Sequence, residues 1–267
     1  MCASGIEAKK AENARDIFNQ RIAAYEAGRL FFRQLLPEKA SRIHYLRDVT
    51  PQHLECSETD ILRFVEALPD HIGRDEMLRR LEGQDTARLE ELFGTHAEPP
   101  EGYGLRGVCL FGITECLRSR DCVGYLERGD VEGFGRLMSI SHDGDRVSRP
   151  DDDGARRPVP PGLPDERLGA LIEQCARGEM PLMMIPGSYA CSTPELDAMV
   201  DIALSVEGVA GAQLAGAGLG GCVMVLTRQD AIDELRRAMV QRYYEPIGRE
   251  PQMEACVPVE GSGVFDV

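Results

Sequence analysis

Residues 211–226 read Gly-Ala-Gln-Leu-Ala-Gly-Ala-Gly-Leu-Gly-Gly-Cys-Val-Met-Val-Leu, and no other stretch restricts the fold as strongly. A short apolar run stops at a glycine-dense turn, Gly216–Gly221, and a second β-rich run follows at Cys222–Leu226. Glycine accepts positive φ and lets a backbone approach a ligand closely. Four glycines in six positions give a loop whose N–H groups can converge on an anion. A tight hairpin whose glycines serve only the turn is the plainer alternative, and the loop alone leaves both open. The match to G-x-G-x-x-G is partial, because no helix follows as a dinucleotide-binding fold requires.

The rest of the composition narrows the field. A chain of 267 residues, 43% hydrophobic, can bury a sizeable core as one large domain or two modest ones. The net charge of −15 argues against nucleic acid or an anionic membrane as partner. No run of about 18 apolar residues exists, so no membrane-spanning helix is expected. The first ten residues lack the apolar centre of a signal peptide. Nine cysteines are scattered without a C-x-x-C pair, which reads as reduced thiols in a cytoplasmic protein. Cys116 and Cys122 lie six positions apart with no partner histidine, so no metal site is expected.

Periodicity sketches the chain. Residues 12–36 place Ile17, Ala24, Gly28, Phe31, Phe32 and Leu35 at helical spacing, and Pro37 ends that helix. Thr50-Pro51 resembles a helix start. Residues 58–96 hold three short helical patterns broken near Pro69 and Gly83, and their charge density suggests a solvated cap rather than a core. Residues 98–102 read as a linker. The spacing predicts a core helix over 103–127 through Val108, Phe111, Ile113, Cys116 and Leu117, then a helix over 130–141. Residues 143–164, with three consecutive aspartates among arginines and prolines, are expected to be a mobile surface insertion, since they bury too little apolar area to order themselves. A helix is expected near 165–177. Another at 193–205 has a Ser or Thr cap before Pro194, with Glu195 complementing its dipole. Strands are expected at 209–215 and 222–226, a helix at 229–242 and a closing strand at 252–259.

Directly upstream of the glycine loop, Tyr189-Ala-Cys-Ser-Thr-Pro-Glu-Leu-Asp197 leads through Gly208-Val-Ala-Gly211 into the hairpin. Joined to the loop, this resembles the C-terminal signature of galactokinases, within the GHMP family of small-molecule kinases. There a Tyr-x-x-Ser/Cys-x-Pro-Glu-Leu-Asp segment runs through Gly-Val-x-Gly into a Gly-rich hairpin ending Gly-Gly-Cys. Asn19-Gln-Arg21, Leu46-Arg47-Asp48, Gly129-Asp130, Phe134–Met138 and Ser141-His142 agree with the family in order and approximate spacing. The main departure is residues 143–187, which separate Ser141-His142 from Tyr189 where the compact family pattern runs on almost directly.

The resemblance implies an α+β fold of GHMP kinase C-terminal, ferredoxin-like type: a small antiparallel sheet with helices on one face, plus a helical elaboration. It divides the chain into 1–142, a 143–187 insertion and a closing 188–267 part. It implies ATP-dependent phosphorylation of a monosaccharide, galactose or a related sugar, at the anomeric hydroxyl, with Mg2+. Gly216, Ala217, Gly218, Leu219, Gly220 and Gly221 would then meet the ATP phosphates. Phe18, Ser141, His142 and Tyr189 would lie on the sugar side. Phe18 stands where the family has a tyrosine that helps hold the sugar, and the lost hydroxyl points to changed specificity. Otherwise it is an apolar helix-face residue. His142 with Asp143 and Asp145 could serve acid–base work or a metal, although no Glu completes a calcium loop; the resemblance makes Ser141-His142 a structural, site-lining pair and not the base, and the plainer reading of His142 is a structural helix end. The family's Gly-Glu-His-Thr-Asp-Tyr stretch, its Ser-rich phosphate loop and its catalytic aspartate have no counterpart here. No catalytic residue is therefore assigned, and the chain is expected to be a fragment, a split gene product or a degenerate paralogue completed by an N-terminal kinase domain. The alternative is a non-catalytic GHMP-fold binding or regulatory module. No ordered Ser-His-Asp or Cys-His set supports a hydrolase.

Overall fold

The computed structural model describes residues 1–6 and 13–257. Strand β1 (Cys2–Ala3) is followed by the long helix α1 (Asn13–Leu35) and, after two 3-10 turns, by α2 (Pro51–Leu54) and α3 (Glu58–Glu66). Next come β2 (His71–Ile72), α4 (Arg74–Arg80), α5 (Ala87–Phe93), β3 (Tyr103–Gly104), α6 (Leu105–Glu127) and α7 (Val131–Asp145). The chain continues through β4 (Ser148–Pro150), β5 (Arg156–Pro158), α8 (Asp165–Ala176), α9 (Pro194–Leu204), β6 (Val209–Ala215), β7 (Cys222–Thr227) and α10 (Ile232–Met239). The architecture is the expected α+β type.

The principal sheet is antiparallel with order β1-β7-β6. Register pairs Ala212 with Val225 and Leu214 with Val223, and the strand period of two turns this set to one face. There it meets Leu196, Met199, Val200 and Ala203 of α9 and Leu235, Ala238 and Met239 of α10. Thr193 caps α9 by accepting from Leu196 N, and Pro194 occupies the first turn, where a missing N–H costs nothing. Helix α7 runs against β6. Gly135 and Gly211 meet backbone to backbone; a Cβ on Gly211 would lie 2.0 Å from the Gly135 carbonyl oxygen.

The helical part has a core of its own, which corrects the solvated-cap expectation for 58–96. Ile61, Leu62 and Val65 of α3 pack with Leu110, Ile113 and Leu117 of α6 and Leu168 of α8. Met77, Leu89, Leu92 and Phe93 pack with Ala23, Ala27 and Leu30 of α1. Most of the charges that suggested solvation lie on the outer faces of these short amphipathic helices, while Arg74 turns in to Tyr103 and Glu58 to Leu182 N. On α1, Gly28 admits the Cys109 thiol of α6, whereas Leu35, expected inside, is exposed on the last turn.

Two further boundaries differ from expectation. Helix α7 runs to Asp145 rather than ending at 141, because the following polar residues find buried partners. Residues 148–158 form the β4–β5 hairpin, tied to α9 through Asp201, which meets Arg146 at 2.6 Å and Arg156 at 2.8 Å. Of the closing strand expected at 252–259, the described part makes only an isolated bridge from Met253 to Cys2; residues 258 and 259 lie outside the described residues.

Candidate functional site

The β6–β7 connection is a strained loop. Gly216, Gly218, Leu219, Gly220 and Gly221 all have positive φ, from 63° at Leu219 to 135° at Gly220. Glycine takes this region without cost, but Leu219 does not. Leu219 is held there because its N–H donates to the Cys191 carbonyl at 2.6 Å. Gly221 N–H donates to Ile6 O at 2.9 Å, and Gly221 O accepts from Ser4 N and Ser4 Oγ. A Cβ on Gly218 would lie 2.0 Å from the Cys191 carbonyl oxygen, so that glycine serves the docking of the loop. Around Gly216 and Gly221 a Cβ would meet nothing within 4 Å. Among the described residues, the amides of Gly216, Ala217, Gly218 and Gly220 have no protein acceptor.

The loop's platform is the segment 187–192, wedged between α6 and α7. Ser188 N donates to Gly107 O, Tyr189 N and Ala190 N both reach Gly144 O, and Ser192 N reaches Asp145 O. Glycines at 107, 144 and 187 make room for this approach; a Cβ on Gly144 would lie 2.3 Å from Pro186 O. Ala190 has φ of 54°, another strained non-glycine position. The Tyr189 ring stacks between Tyr25 (5.6 Å) and Phe111 (4.7 Å), and its carbonyl accepts from Arg21 Nε. Burial pushes the Tyr189 hydroxyl pKa up.

His142 lies behind this surface and is fully buried. Its Nδ1 accepts from Leu214 N on β6 at 3.3 Å, which places the ring proton on Nε2, facing Asp197 Oδ1 at 3.2 Å. That second approach is bent away from hydrogen-bond geometry. The directional bonds go instead to Asp197 Oδ2, which accepts from Val147 N, Ser148 N and Ser148 Oγ. Burial works to raise the Asp197 pKa, but the His142 ring alongside and the hydrogen bonds the carboxylate accepts, that of the Val147 N–H among them, outweigh it and hold the carboxyl below its ordinary value. Asp145 goes the other way: burial, with Glu115 nearby, pushes it up to about 7.

The structure therefore brings Tyr189 to the segment that anchors the Gly216–Gly221 loop. It buries His142 between β6 and α9, leaves Ser141 half-buried beside it, and leaves Phe18 exposed on α1, one turn before Arg21. Sequence reasoning missed the Cys191 carbonyl and Arg21 as an anchor. A backbone carbonyl has no side-chain signature. Among the described residues, no group of three or more His, Cys, Asp or Glu side chains could hold a metal ion.

Residues 163–245 match the family described as GHMP kinases C terminal. The chain is 30% identical over 141 residues to a galactokinase of Streptococcus thermophilus, a match spanning 53% of this chain and 26% of that protein. A Clostridium acetobutylicum galactokinase is 40% identical over 139 residues, 52% of this chain and 25% of the relative. A Roseiflexus sp. galactokinase is 27% identical over 174 residues, 65% and 34% respectively. The crystal structure of Lactococcus lactis galactokinase complexed with galactose shares the fold, with a TM-score of 0.52 at 18% identity, over 94% of this chain and 42% of that one. The matches thus span from a quarter to under half of the relatives' own length. Residues 163–245 are a GHMP kinase C-terminal domain, within a chain related to the galactokinases over about half its length.

Proposed function

We propose that this chain is the C-terminal part of a galactokinase-like sugar kinase, which uses ATP and Mg2+ to phosphorylate galactose or a related sugar at its anomeric hydroxyl. The observation that carries this reading is the anchored loop at the β6–β7 tip, with four amides lacking an acceptor among the described residues and open space at Gly216 and Gly221. Donors fixed this way need no reorientation to meet phosphate charge. ATP would supply the phosphoryl group. This chain's part is to hold the phosphates with loop amides and to present Phe18 and Tyr189 toward the sugar. Mg2+ would arrive with the nucleotide, and the base would come from an N-terminal kinase domain, so this chain alone is inactive. The division into 1–142, 143–187 and 188–267 belongs to the same reading. Nine unpaired cysteines support a reducing, cytoplasmic setting, and among the described residues no helix is long and apolar enough to cross a membrane.

The second reading, a non-catalytic binding module, draws on the engagement of Leu219 and Gly221 amides by Cys191 and Ile6 and on the burial of His142. Two measurements separate them: ATP binding to this chain, and 31P-detected transfer to galactose by the chain joined to a galactokinase N-terminal domain. Sugar 1-phosphate from the joined protein supports the kinase. Nucleotide binding without transfer supports the module. No nucleotide binding in either form sinks the loop's assignment.

A further inference from the structure

The glycine loop has a second anchor, built by the first residues of the chain. Past its pairing with β7, strand β1 turns at Ser4–Ile6 and grips the loop where it rejoins the sheet. Ser4 N donates to Gly221 O at 2.8 Å, and Ser4 Oγ donates to the same oxygen at 2.7 Å. Ser4 Oγ also accepts from Ile6 N at 3.1 Å, and Ile6 O accepts from Gly221 N at 2.9 Å. Ser4 is fully buried, so protein groups alone orient its hydroxyl. The grip is itself held from the far end of the described chain. The Tyr243 hydroxyl donates to Ser4 O at 2.8 Å, the Tyr244 hydroxyl to Ala3 O at 2.7 Å, and Arg249 Nη1 to Gly5 O. Two successive tyrosines reach one strand because Val240–Tyr244 form a π turn, in which Glu245 N donates to Val240 O. Such turns are rare and recur at functional sites.

We propose that Ser4 is a positioning residue for the glycine loop: acting through Gly221, it sets the direction of the Gly220 amide, and Tyr243 holds Ser4 in place. This rests on the reading of the loop as a phosphate binder. An amide N–H lies in the rigid plane it shares with the preceding carbonyl. The plane joining Gly218 to Leu219 is fixed by Cys191 O, and the plane joining Gly220 to Gly221 is fixed by Ile6 O. The plane between them carries the Gly220 N–H, which has no acceptor among the described residues. It can turn only about the backbone bonds of Leu219 and Gly220, which sit at φ of 63° and 135°. With both flanking planes held, the Gly220 donor stays aimed. Without the Ser4 hydroxyl, Gly221 O keeps one partner and Ile6 N loses its acceptor, so the carbonyl that holds Gly221 N–H can drift. A glycine-rich backbone has many conformations open to it, and the loss of one clamp spreads along the loop. A donor fixed in advance is what strengthens an anion site, so Ser4 adds to affinity without touching the ligand.

The experiment compares the whole chain with its Ser4→Ala and Tyr243→Phe variants, and with Asp201→Ala, a control destabilised at the β4–β5 hairpin rather than at the loop. Loop order is read by amide nitrogen NMR relaxation in the free chain, and affinity by ATP titration followed at the 216–221 resonances. Ser4→Ala should lower the order of these amides, most at Gly220, and weaken ATP by about two- to tenfold, the effect of one lost hydrogen bond. Tyr243→Phe keeps the ring and should act in the same direction, but less. Asp201→Ala should lower the melting temperature and leave loop order and ATP affinity as in the wild type. Unchanged loop order in Ser4→Ala would overturn the proposal. So would an equal loss of order in Asp201→Ala, or ATP affinity untouched by Ser4→Ala in a wild type that binds ATP. A wild type that binds no ATP would sink the kinase reading instead, and the loop-order comparison in the free chain would then decide this proposal by itself.

Discussion

Removing the Asp197 side chain tests the polar joint that fastens the β6 edge, α7 and α9 together. Asp197 is fully buried; its Oδ2 accepts from Ser148 N (2.8 Å), Ser148 Oγ (3.0 Å) and Val147 N (3.1 Å), and its Oδ1 faces His142 Nε2. Asp197→Ala leaves all these donors without an acceptor. Each unpaired buried donor costs about 1–3 kcal/mol, and partial entry of water reduces the sum, so the expected loss is about 3–5 kcal/mol. Against a typical total of about 5–15 kcal/mol this is readily measured by urea unfolding followed by circular dichroism. The pH dependence gives a second readout. The native carboxyl titrates below its ordinary value, so its contribution is fully present above the unfolded pKa of 3.8 and is lost as pH falls through the native one. The wild type should therefore lose more stability below about pH 4 than Asp197→Ala does. A loss under about 1 kcal/mol at neutral pH would refute the reasoning, because it would mean the donors rehydrate freely.

Three further outcomes are expected. Gly218→Val should unfold or detach the loop, since φ is 77° and the added Cβ would strike the Cys191 carbonyl, while Gly216→Val in open space should cost only about 1–2 kcal/mol; equal melting losses would contradict this. Asp145 holds its proton in the fold up to about 7 but loses it near 3.8 when unfolded, so stability should fall as pH rises between those values; Asp145→Asn should flatten that slope, and an unchanged pH profile would contradict the burial argument. Asp201→Ala removes the acceptor shared by Arg146 and Arg156 and should make the β4–β5 hairpin the first site of limited proteolysis; cleavage starting elsewhere would show the hairpin is held by other contacts.

Local signals carried the hairpin and the capped helix into the structure almost unchanged. Strand alternation and the glycine cluster marked both flanks of the β6–β7 loop, and Thr193-Pro194 marked the start of α9. What failed was whatever depended on a distant partner. The polar run after residue 141 looked like loop because Arg146 finds Asp201 only once α9 is in place. The short helices α3 to α5 looked solvated because most of their residues are charged, yet Ile61, Leu62 and Val65 suffice to make one buried stripe. Strand β1 is two residues long and so has no period to detect. At the candidate site, the glycine loop was legible from composition. The carbonyls that hold it, Cys191 and Ile6, were not, because any residue type supplies one.

The covering of β6 by α7 has a consequence for how this chain can associate. A bare outer strand offers a ladder of amides and carbonyls on which another strand can grow. Here Gly135 presses its backbone against Gly211, and His142 consumes the outward Leu214 N–H. At the opposite border, Ala3 N–H donates to Gln252 O and Cys2 bridges Met253. Strand addition is therefore blocked on both borders of the sheet, and with it runaway edge-to-edge polymerisation. A macromolecule that binds this half of the chain must do so through side chains and loop tips.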